Sequence, residues 1–340
     1  MTDLTSTANA LVAPGKGILA ADESDGTIKK RFDSIGVEST EDRRRAYREM
    51  LFTTPGMGEF ISGVILYDET IRQSASDGRP FAQVLTEAGV IPGIKVDTGS
   101  KDLAGFPGEQ VTEGLDGLRG RLAEYAGLGA RFAKWRAVIN IDVAAGVPTN
   151  DAIAANAHAL ARYAALCQEA GIVPIVEPEV MMEGDHSIDA CFDATSRTLR
   201  ALYAELFAQR VDLPGSLLKP NMVLSGKLCA TQAGPDRVAE ATVRCFLAHV
   251  PAAVPGIVFL SGGQSDEQAT ANLNAMNAMG TSLPWELSFS YGRALQAPSL
   301  KAWGGLDANV AAGQSAFYHR AKLNGAARYG TYSPDMEAAA

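Results

Sequence analysis

A lone lysine stands in an apolar run at Leu217-Leu218-Lys219-Pro220-Asn221-Met222-Val223. The leucines, Met222 and Val223 read as a short buried strand, and the proline after Lys219 closes its backbone pairing at that point. An ammonium group that loses water, or faces other cations, has its pKa lowered toward the range in which the free amine attacks a carbonyl. The competing reading is a strand-end lysine whose stem packs while its amine reaches solvent. Other charges recur at a two-residue spacing: Lys95 and Asp97 in IPGIKVD, Lys134 and Arg136 in FAKWRAV, Glu177 and Glu179 in IVPIVEPEV. Strand alternation places each pair on one face. Two cations on one face are costly unless carboxylates or an anionic ligand meet them. Two carboxylates repel and raise the pKa of one, unless cations intervene, which suits proton transfer or neutralisation of an ammonium.

Two further stretches could hold an anion. The run Gly17–Asp22 ends in a carboxylate, and the loop after it carries the Ser24 and Thr27 hydroxyls, Gly26, and then Lys29, Lys30 and Arg31. That composition fits a phosphate cradle and an ordinary turn before a surface helix equally well. Ser261-Gly262-Gly263 precedes a helical stretch, so its amides could face an anion, although double glycines are common turns. Ser290-Tyr291-Gly292-Arg293 would deliver a cation beside that turn.

The elements that must position these groups follow from periodicity. Strands are expected at 17–22, 61–68, 91–97, 132–138, 172–180, 217–223, 256–260 and 283–289. Helical patterns cover 41–60 with an interruption near Pro55-Gly56, then 110–129, 149–171, 189–212, 236–249, 265–279 and 306–327. The first dozen residues read as a loose arm and 98–108 as a glycine-rich loop. His158 falls on a helix as a core or surface histidine. Strands alternating with helices, without a GxGxxG fingerprint, fit an α/β chain closed into a single (β/α)8 barrel. An arm at 1–14, a barrel core at 17–327 and a tail at 328–340 make up that domain. In such a barrel the C-terminal strand ends share one mouth, with phosphate commonly held after strands seven and eight. Asp22, Lys95, Lys134, Glu177, Glu179, Lys219, Ser261 and Arg293 would all meet there.

Composition narrows the partners. The 340 residues are 46% hydrophobic and 20% charged, and 30 Lys and Arg face 39 Asp and Glu, for a net charge of -9. This argues against a nucleic-acid surface and makes any anion site a local feature. No apolar run is long enough to span a bilayer. The N-terminus has Asp3 and no basic residue before Lys16, so it does not resemble a secretory signal. Cys167, Cys191, Cys229 and Cys245 are widely spaced and read as reduced thiols. The histidines, 158, 186, 249 and 319, form no ligand pair, so neither a histidine-rich metal site nor a cofactor is expected, while carboxylate ligation stays open.

With these residues assembled, the chain closely resembles a class I, Schiff-base fructose-1,6-bisphosphate aldolase. The resemblance is carried in order by LAADES at 19–24, GIKVD at 93–97, AKWR at 133–136, VEPEV at 176–180, LLKPNMV at 217–223, FLSGGQS at 259–265 and SYGRALQ at 290–296. It implies reversible cleavage of fructose 1,6-bisphosphate into dihydroxyacetone phosphate and glyceraldehyde 3-phosphate, without metal, by a cytoplasmic homotetramer. Lys219 matches the iminium-forming lysine, Glu177 the proton shuttle and Asp22 the group at the C4 hydroxyl. Lys134 matches the lysine beside the nucleophile, where it would oppose protonation of Lys219, and Glu179 matches the second carboxylate. The C1 phosphate falls to Ser261, Gly262, Gly263, Gly292 and Arg293, and the C6 phosphate to Ser24, Thr27, Arg31 and Lys95. Two departures stand out. Thr98 follows GIKVD where the eukaryotic pattern has lysine, and the chain lacks the family's terminal tyrosine, for which Tyr329 or Tyr332 would have to substitute. Rival readings are a Schiff-base lyase for another ketose phosphate, a metal-dependent aldolase, and a noncatalytic scaffold, which would be expected to have lost Lys219.

Overall fold

Along several of the strands, inward apolar residues give way to charged ones toward the C-terminal end, as from Val173 and Ile175 to Glu177. Closing those strands into a ring therefore makes a dry floor and a polar mouth. The computed structural model describes residues 3–338. Its barrel is built from β1 (Gly17–Ala21), β2 (Ile61–Leu66), β3 (Ile91–Lys95), β4 (Phe132–Ile139), β5 (Val173–Val180), β6 (Leu217–Leu218), β7 (Gly256–Phe259) and β8 (Glu286–Tyr291). All pairings are parallel, each strand lies beside the next in sequence, and β8 closes on β1 with Ser290 opposite Ile18. The (β/α)8 architecture expected from the alternation is the one adopted.

Period-two alternation separates the two faces. Inward residues Ile18, Ala20, Phe132, Val173, Ile175 and Leu217 form the barrel floor, while Ala133, Trp135 and Ala137 of β4 join the outer core under the helices. Trp135 packs there against Tyr163, with ring centroids 5.6 Å apart. The floor is crowded around Phe132: a Cβ on Gly93 would lie 2.3 Å from its ring, so only glycine fits opposite it.

The first dozen residues are not a loose arm. Leu4–Leu11 is a helix capped by the Asp3 carboxylate, which accepts from the Thr5 amide at 3.1 Å. Ala8 and Leu11 are fully buried in the same cluster as the barrel floor, so this helix plugs the N-terminal end. Short Ala, Ser and Thr side chains between those contacts gave the segment too little apolar character to read as a helix. Residues 1 and 2 of the arm and 339 and 340 of the tail lie outside the described residues.

Several boundaries move for identifiable reasons. The helix at 41–60 stops at Phe52, and a 3-10 turn, Met57–Glu59, follows Gly56 with φ +76°. The helix expected over 110–129 begins only at Leu118, after Gly114 and Gly117 with φ of +127° and +67°. Before it, Gln110–Thr112 pairs antiparallel with Ser100–Asp102 inside the supposed glycine-rich loop. β6 is only two residues long, because Pro220 ends its ladder. β8 runs on to Tyr291. An unanticipated helix, Arg293–Trp303, contains Pro298, which reads in sequence as a breaker. The last helix is Val310–Arg328, entered through a 3-10 turn at Asp307–Asn309. Cys167, Cys191 and Cys245 are buried, and all four cysteines are free thiols. Among the described residues no helix is long and apolar enough to cross a membrane.

Leu11→Ala should lower the stability of the barrel by about 2–5 kcal/mol, the range for emptying a buried leucine site. Urea denaturation measures it. An unchanged midpoint would mean that the N-terminal helix is not part of the core.

Candidate active site

Extending each inward row by one more step reaches the charged residues. Ile18 and Ala20 lead to Asp22, Phe132 leads to Lys134 and Arg136, Val173 and Ile175 lead to Glu177 and Glu179, and Leu217 leads to Lys219. Strand register brings these ends level, with Lys95 opposite Lys134, Arg136 opposite Glu177 and Val138 opposite Glu179. The result is a cavity of about 770 Å³ at the C-terminal mouth. Asp22, Lys134, Glu177, Glu179 and Lys219 line it, as do Ser24, Thr27, Arg31, Lys95, Ser261, Gly262, Gly263, Gly292 and Arg293, whereas Gly26 and Lys29 of the same turn do not.

Lys219 is buried, so the reading in which its amine reaches bulk solvent is not the one realised. Its amide donates to the Val176 carbonyl at 2.8 Å, extending the β5–β6 ladder by one residue and fixing where the side chain starts. Its Nζ lies 3.1 Å from Glu177 Oε1. The other carboxylate oxygen, Oε2, lies 3.1 Å from Lys134 Nζ, which in turn stands 2.8 Å from Asp22 Oδ2 and 3.9 Å from Asp97 Oδ2. The expectation that Lys134 simply opposes the charge on Lys219 needs correction. Glu177 is inserted between the two ammonium groups and offsets their repulsion.

This arrangement decides which groups stay ionised. Burial opposes ionisation of Asp22, but Lys134, Lys219 and Lys95 together hold its carboxyl well below the usual carboxylate range. Burial likewise opposes ionisation of Glu177, and Lys134, Lys219 and Arg136 outweigh it, so its pKa is lowered. Carboxylate repulsion within the Glu177 and Glu179 pair is therefore not the deciding influence, because cations do intervene. Burial disfavours the Lys134 ammonium, yet Asp22, Glu177 and Asp97 raise its pKa above the ordinary lysine value. Glu179 is engaged separately, by the Arg136 guanidinium.

The anion-binding candidates lie on either side of this lattice. The amides of Gly262 and Gly263 donate to no acceptor among the described residues, and the turn they form leads into the helix Asp266–Ala278. Both glycines have positive φ, which exposes those amides. Arg293 has no carboxylate within 4.0 Å among the described residues and its side chain is exposed. After the neighbouring strand β1, the Ser24 and Thr27 hydroxyls stand 3.2 Å apart at the start of the helix Asp25–Asp33. Lys95 is held 3.1 Å from Asp97.

Some contributors escaped the sequence reading. Glu23 is buried, pairs with Arg31, and accepts from Arg48 at 2.6 Å and from Gln296 at 2.8 Å. It thereby anchors Arg31 at the rim. Nothing in the turn around Glu23 signals that Arg48 and Gln296, far away in sequence, converge on it. Arg136 shares the face of Lys134 by the two-residue period, which aims it at the mouth as well. His158 sits on a helix surface with Nδ1 2.9 Å from Glu205, away from the cavity. Neither candidate tail tyrosine lines the cavity: Tyr332 donates to Glu337 at 2.7 Å, and Tyr329 lies against Gly15. Among the described residues no three His, Cys, Asp or Glu side chains converge to hold a metal.

A carboxylate whose pKa is depressed by folding adds stability above its unfolded value, about 4, and loses it as the pH falls through the lower folded value. Asp22→Asn should therefore make the decline of the urea midpoint below about pH 4 shallower than in the unaltered protein. Parallel acid limbs would show that Asp22 is not held ionised by its lysines.

Comparison with known proteins agrees with this geometry. Residues 3–340 match the family model for glycolytic fructose-bisphosphate aldolase class-I. A probable fructose-bisphosphate aldolase class 1 of Xanthomonas campestris is 60% identical over 97% of this chain and 98% of its own length. The cytosolic fructose-bisphosphate aldolase 6 of Arabidopsis thaliana is 56% identical, covering 98% of this chain and 93% of its own. A co-crystal structure of the Plasmodium falciparum fructose-bisphosphate aldolase superposes with a TM-score of 0.96 at 50% identity, over 97% of this chain and 95% of that one. By sequence along its length, by barrel and by motif order, the chain belongs to the class I fructose-bisphosphate aldolase family.

Proposed function

We propose that this protein reversibly cleaves fructose 1,6-bisphosphate into dihydroxyacetone phosphate and glyceraldehyde 3-phosphate through a Schiff base on Lys219. The observation that carries the reading is the buried Lys219 Nζ 3.1 Å from a carboxylate, Glu177, that a second lysine also engages. A buried ammonium beside a carboxylate has a proton acceptor in reach. Lys219 passes its proton to Glu177 and attacks the C2 carbonyl. The C2 oxygen takes one proton from the attacking nitrogen and one back from Glu177 and leaves as water, and a positively charged iminium remains. That charge draws in the electron pair of the C3–C4 bond while Asp22 takes the C4 hydroxyl proton, so the aldehyde departs and an enamine is left. Lys134, 2.8 Å from Asp22 and 3.1 Å from Glu177, relays the proton taken by Asp22 to Glu177; protonation of C3 by Glu177 and hydrolysis of the iminium then release dihydroxyacetone phosphate.

Lys134 keeps Asp22 ionised and oriented for its proton, and Glu179 holds Arg136 at the rim. The iminium supplies the electron sink, so the reaction is metal-independent. The C1 phosphate is assigned to Ser261, Gly262, Gly263, Gly292 and Arg293, which is supported by open amides beside an exposed guanidinium. The C6 phosphate is assigned to Ser24, Thr27, Arg31 and Lys95, supported by hydroxyls at a helix start with two nearby cations. Relatives named as cytosolic support a cytoplasmic location. Assembly as a homotetramer follows from the family resemblance, and Phe207 and Leu247, exposed by 86% and 53%, offer apolar surface for it.

Borohydride trapping with dihydroxyacetone phosphate in the presence of EDTA, followed by mass mapping, should modify Lys219. Lys219→Met should fold yet show neither trapping nor cleavage. A folded Lys219→Met that still cleaves would remove the Schiff base from this lysine. Glu177→Gln should still form some adduct but turn over about 10²–10⁴-fold more slowly, the usual cost of losing a positioned proton-transfer group; wild-type turnover would dismiss Glu177 as the shuttle.

A further inference from the structure

One lysine at the phosphate end of the cavity has no part in the reaction described above. Lys227 lies in the loop that follows Lys219, and its backbone is tightly held. Gly226, Lys227 and Leu228 donate their amides to the carbonyls of His186, Met182 and Gly184, each at 2.8 Å. The two loops meet so closely that a Cβ on Gly226 would lie 2.5 Å from the Gly184 carbonyl oxygen. From this fixed base the Lys227 side chain crosses to the Ser261-Gly262-Gly263 turn. A Cβ on Gly263 would stand 2.6 Å from Lys227 Cε and 2.7 Å from Nζ. The ammonium therefore rests directly against the turn whose amides are open to an anion.

Its partner is easily exchanged. Lys227 Nζ lies 2.7 Å from Glu183, and the two side chains are 39% and 57% exposed, so solvent screens the pair. No other carboxylate lies within 4.0 Å of Lys227 among the described residues, and both members of the pair line the cavity. A phosphate dianion seated on the Gly262 and Gly263 amides offers this ammonium a more highly charged partner than Glu183 does.

We propose that Lys227 is a further substrate-binding and specificity-determining residue, which leaves Glu183 to close over the C1 phosphate from the side opposite the barrel floor. The inference rests on the placement of the C1 phosphate at this turn. Glu183 acts as a competitor for Lys227, and so tunes how strongly ketose and dihydroxyacetone phosphate are held.

The test is steady-state kinetics on full-length Lys227→Met, Lys227→Arg, Glu183→Gln and Arg293→Ala with fructose 1,6-bisphosphate. Methionine keeps an unbranched stem over Gly263 and removes only the charge. KM should rise about five- to tenfold in Lys227→Met, the effect of one partly exposed charge-assisted contact, with kcat nearly unchanged. Lys227→Arg should restore KM and Glu183→Gln should lower it. An unchanged KM in Lys227→Met beside a raised KM in Arg293→Ala would overturn the inference and leave the phosphate placement intact. Unchanged KM in both would overturn the two together. A rise that arginine does not rescue, or that comes with an equal fall in kcat, would reduce Lys227 to a loop-packing role and also overturn it.

Discussion

The site depends on one shared carboxylate. Glu177 stands between the ammonium groups of Lys219 and Lys134, at 3.1 Å from each, buried at the base of the mouth. Burying two cations side by side would be prohibitive alone, and burying one carboxylate alone nearly as costly. Together with Asp22 and Asp97 they form a lattice in which every charge faces its opposite. Removing one member leaves its partners desolvated and unpaired, so chemistry and local stability are linked here by the same contacts. Glu177 touches both Lys219 and Lys134, which is the contact that the proposed proton transfer requires.

The barrel is what makes such a lattice attainable. β1, β4, β5 and β6 each contribute an inward row whose lower members are apolar and which ends on a charged residue, as in Val173, Ile175 and Glu177. Parallel register then sets those charged ends at one level around a ring. The floor is filled by Phe132 and by the N-terminal helix through Ala8 and Leu11, so water reaches the charges only from the mouth. Glycine at position 93 matters as much as the large residues, since it leaves room for the Phe132 ring.

An acidic protein that binds a doubly phosphorylated sugar has to gather positive charge locally. Here most cations in the cavity are already matched: Lys95 to Asp97, Arg31 to Glu23, Arg136 to Glu179, Lys227 to Glu183. Lys30 and Arg293 are exposed, and neither has a carboxylate within 4.0 Å among the described residues. A phosphate in the cavity would therefore meet two unengaged cations and several whose present partners are exchangeable to different degrees. Buried Glu23, tied also to Arg48 and Gln296, holds Arg31 firmly, whereas solvent-exposed Glu183 holds Lys227 loosely.

Periodicity along the chain was enough to reveal the strands, their alternation with helices and hence the closed barrel, because a two-residue period states directly which side chains share a face. It also brought Lys219, Lys134, Glu177, Glu179 and Asp22 to one mouth, since strand ends in this fold have nowhere else to point. Motif order then supplied the chemistry. What stayed hidden depended on contacts between residues distant in sequence. Leu4–Leu11 becomes a plug only when a barrel floor exists to receive it. Arg293–Trp303 is a helix despite Pro298 because its face packs on the helices beside it. Glu23 acquires its role from Arg48 and Gln296, and Lys227 from Gly263 and Glu183. The insertion of Glu177 between two lysines is likewise a matter of distance across strands, which no spacing along a single strand encodes. Local periodicity sets which face a residue occupies; only the closed fold sets what stands opposite it, and the charges of this site respond to what stands opposite.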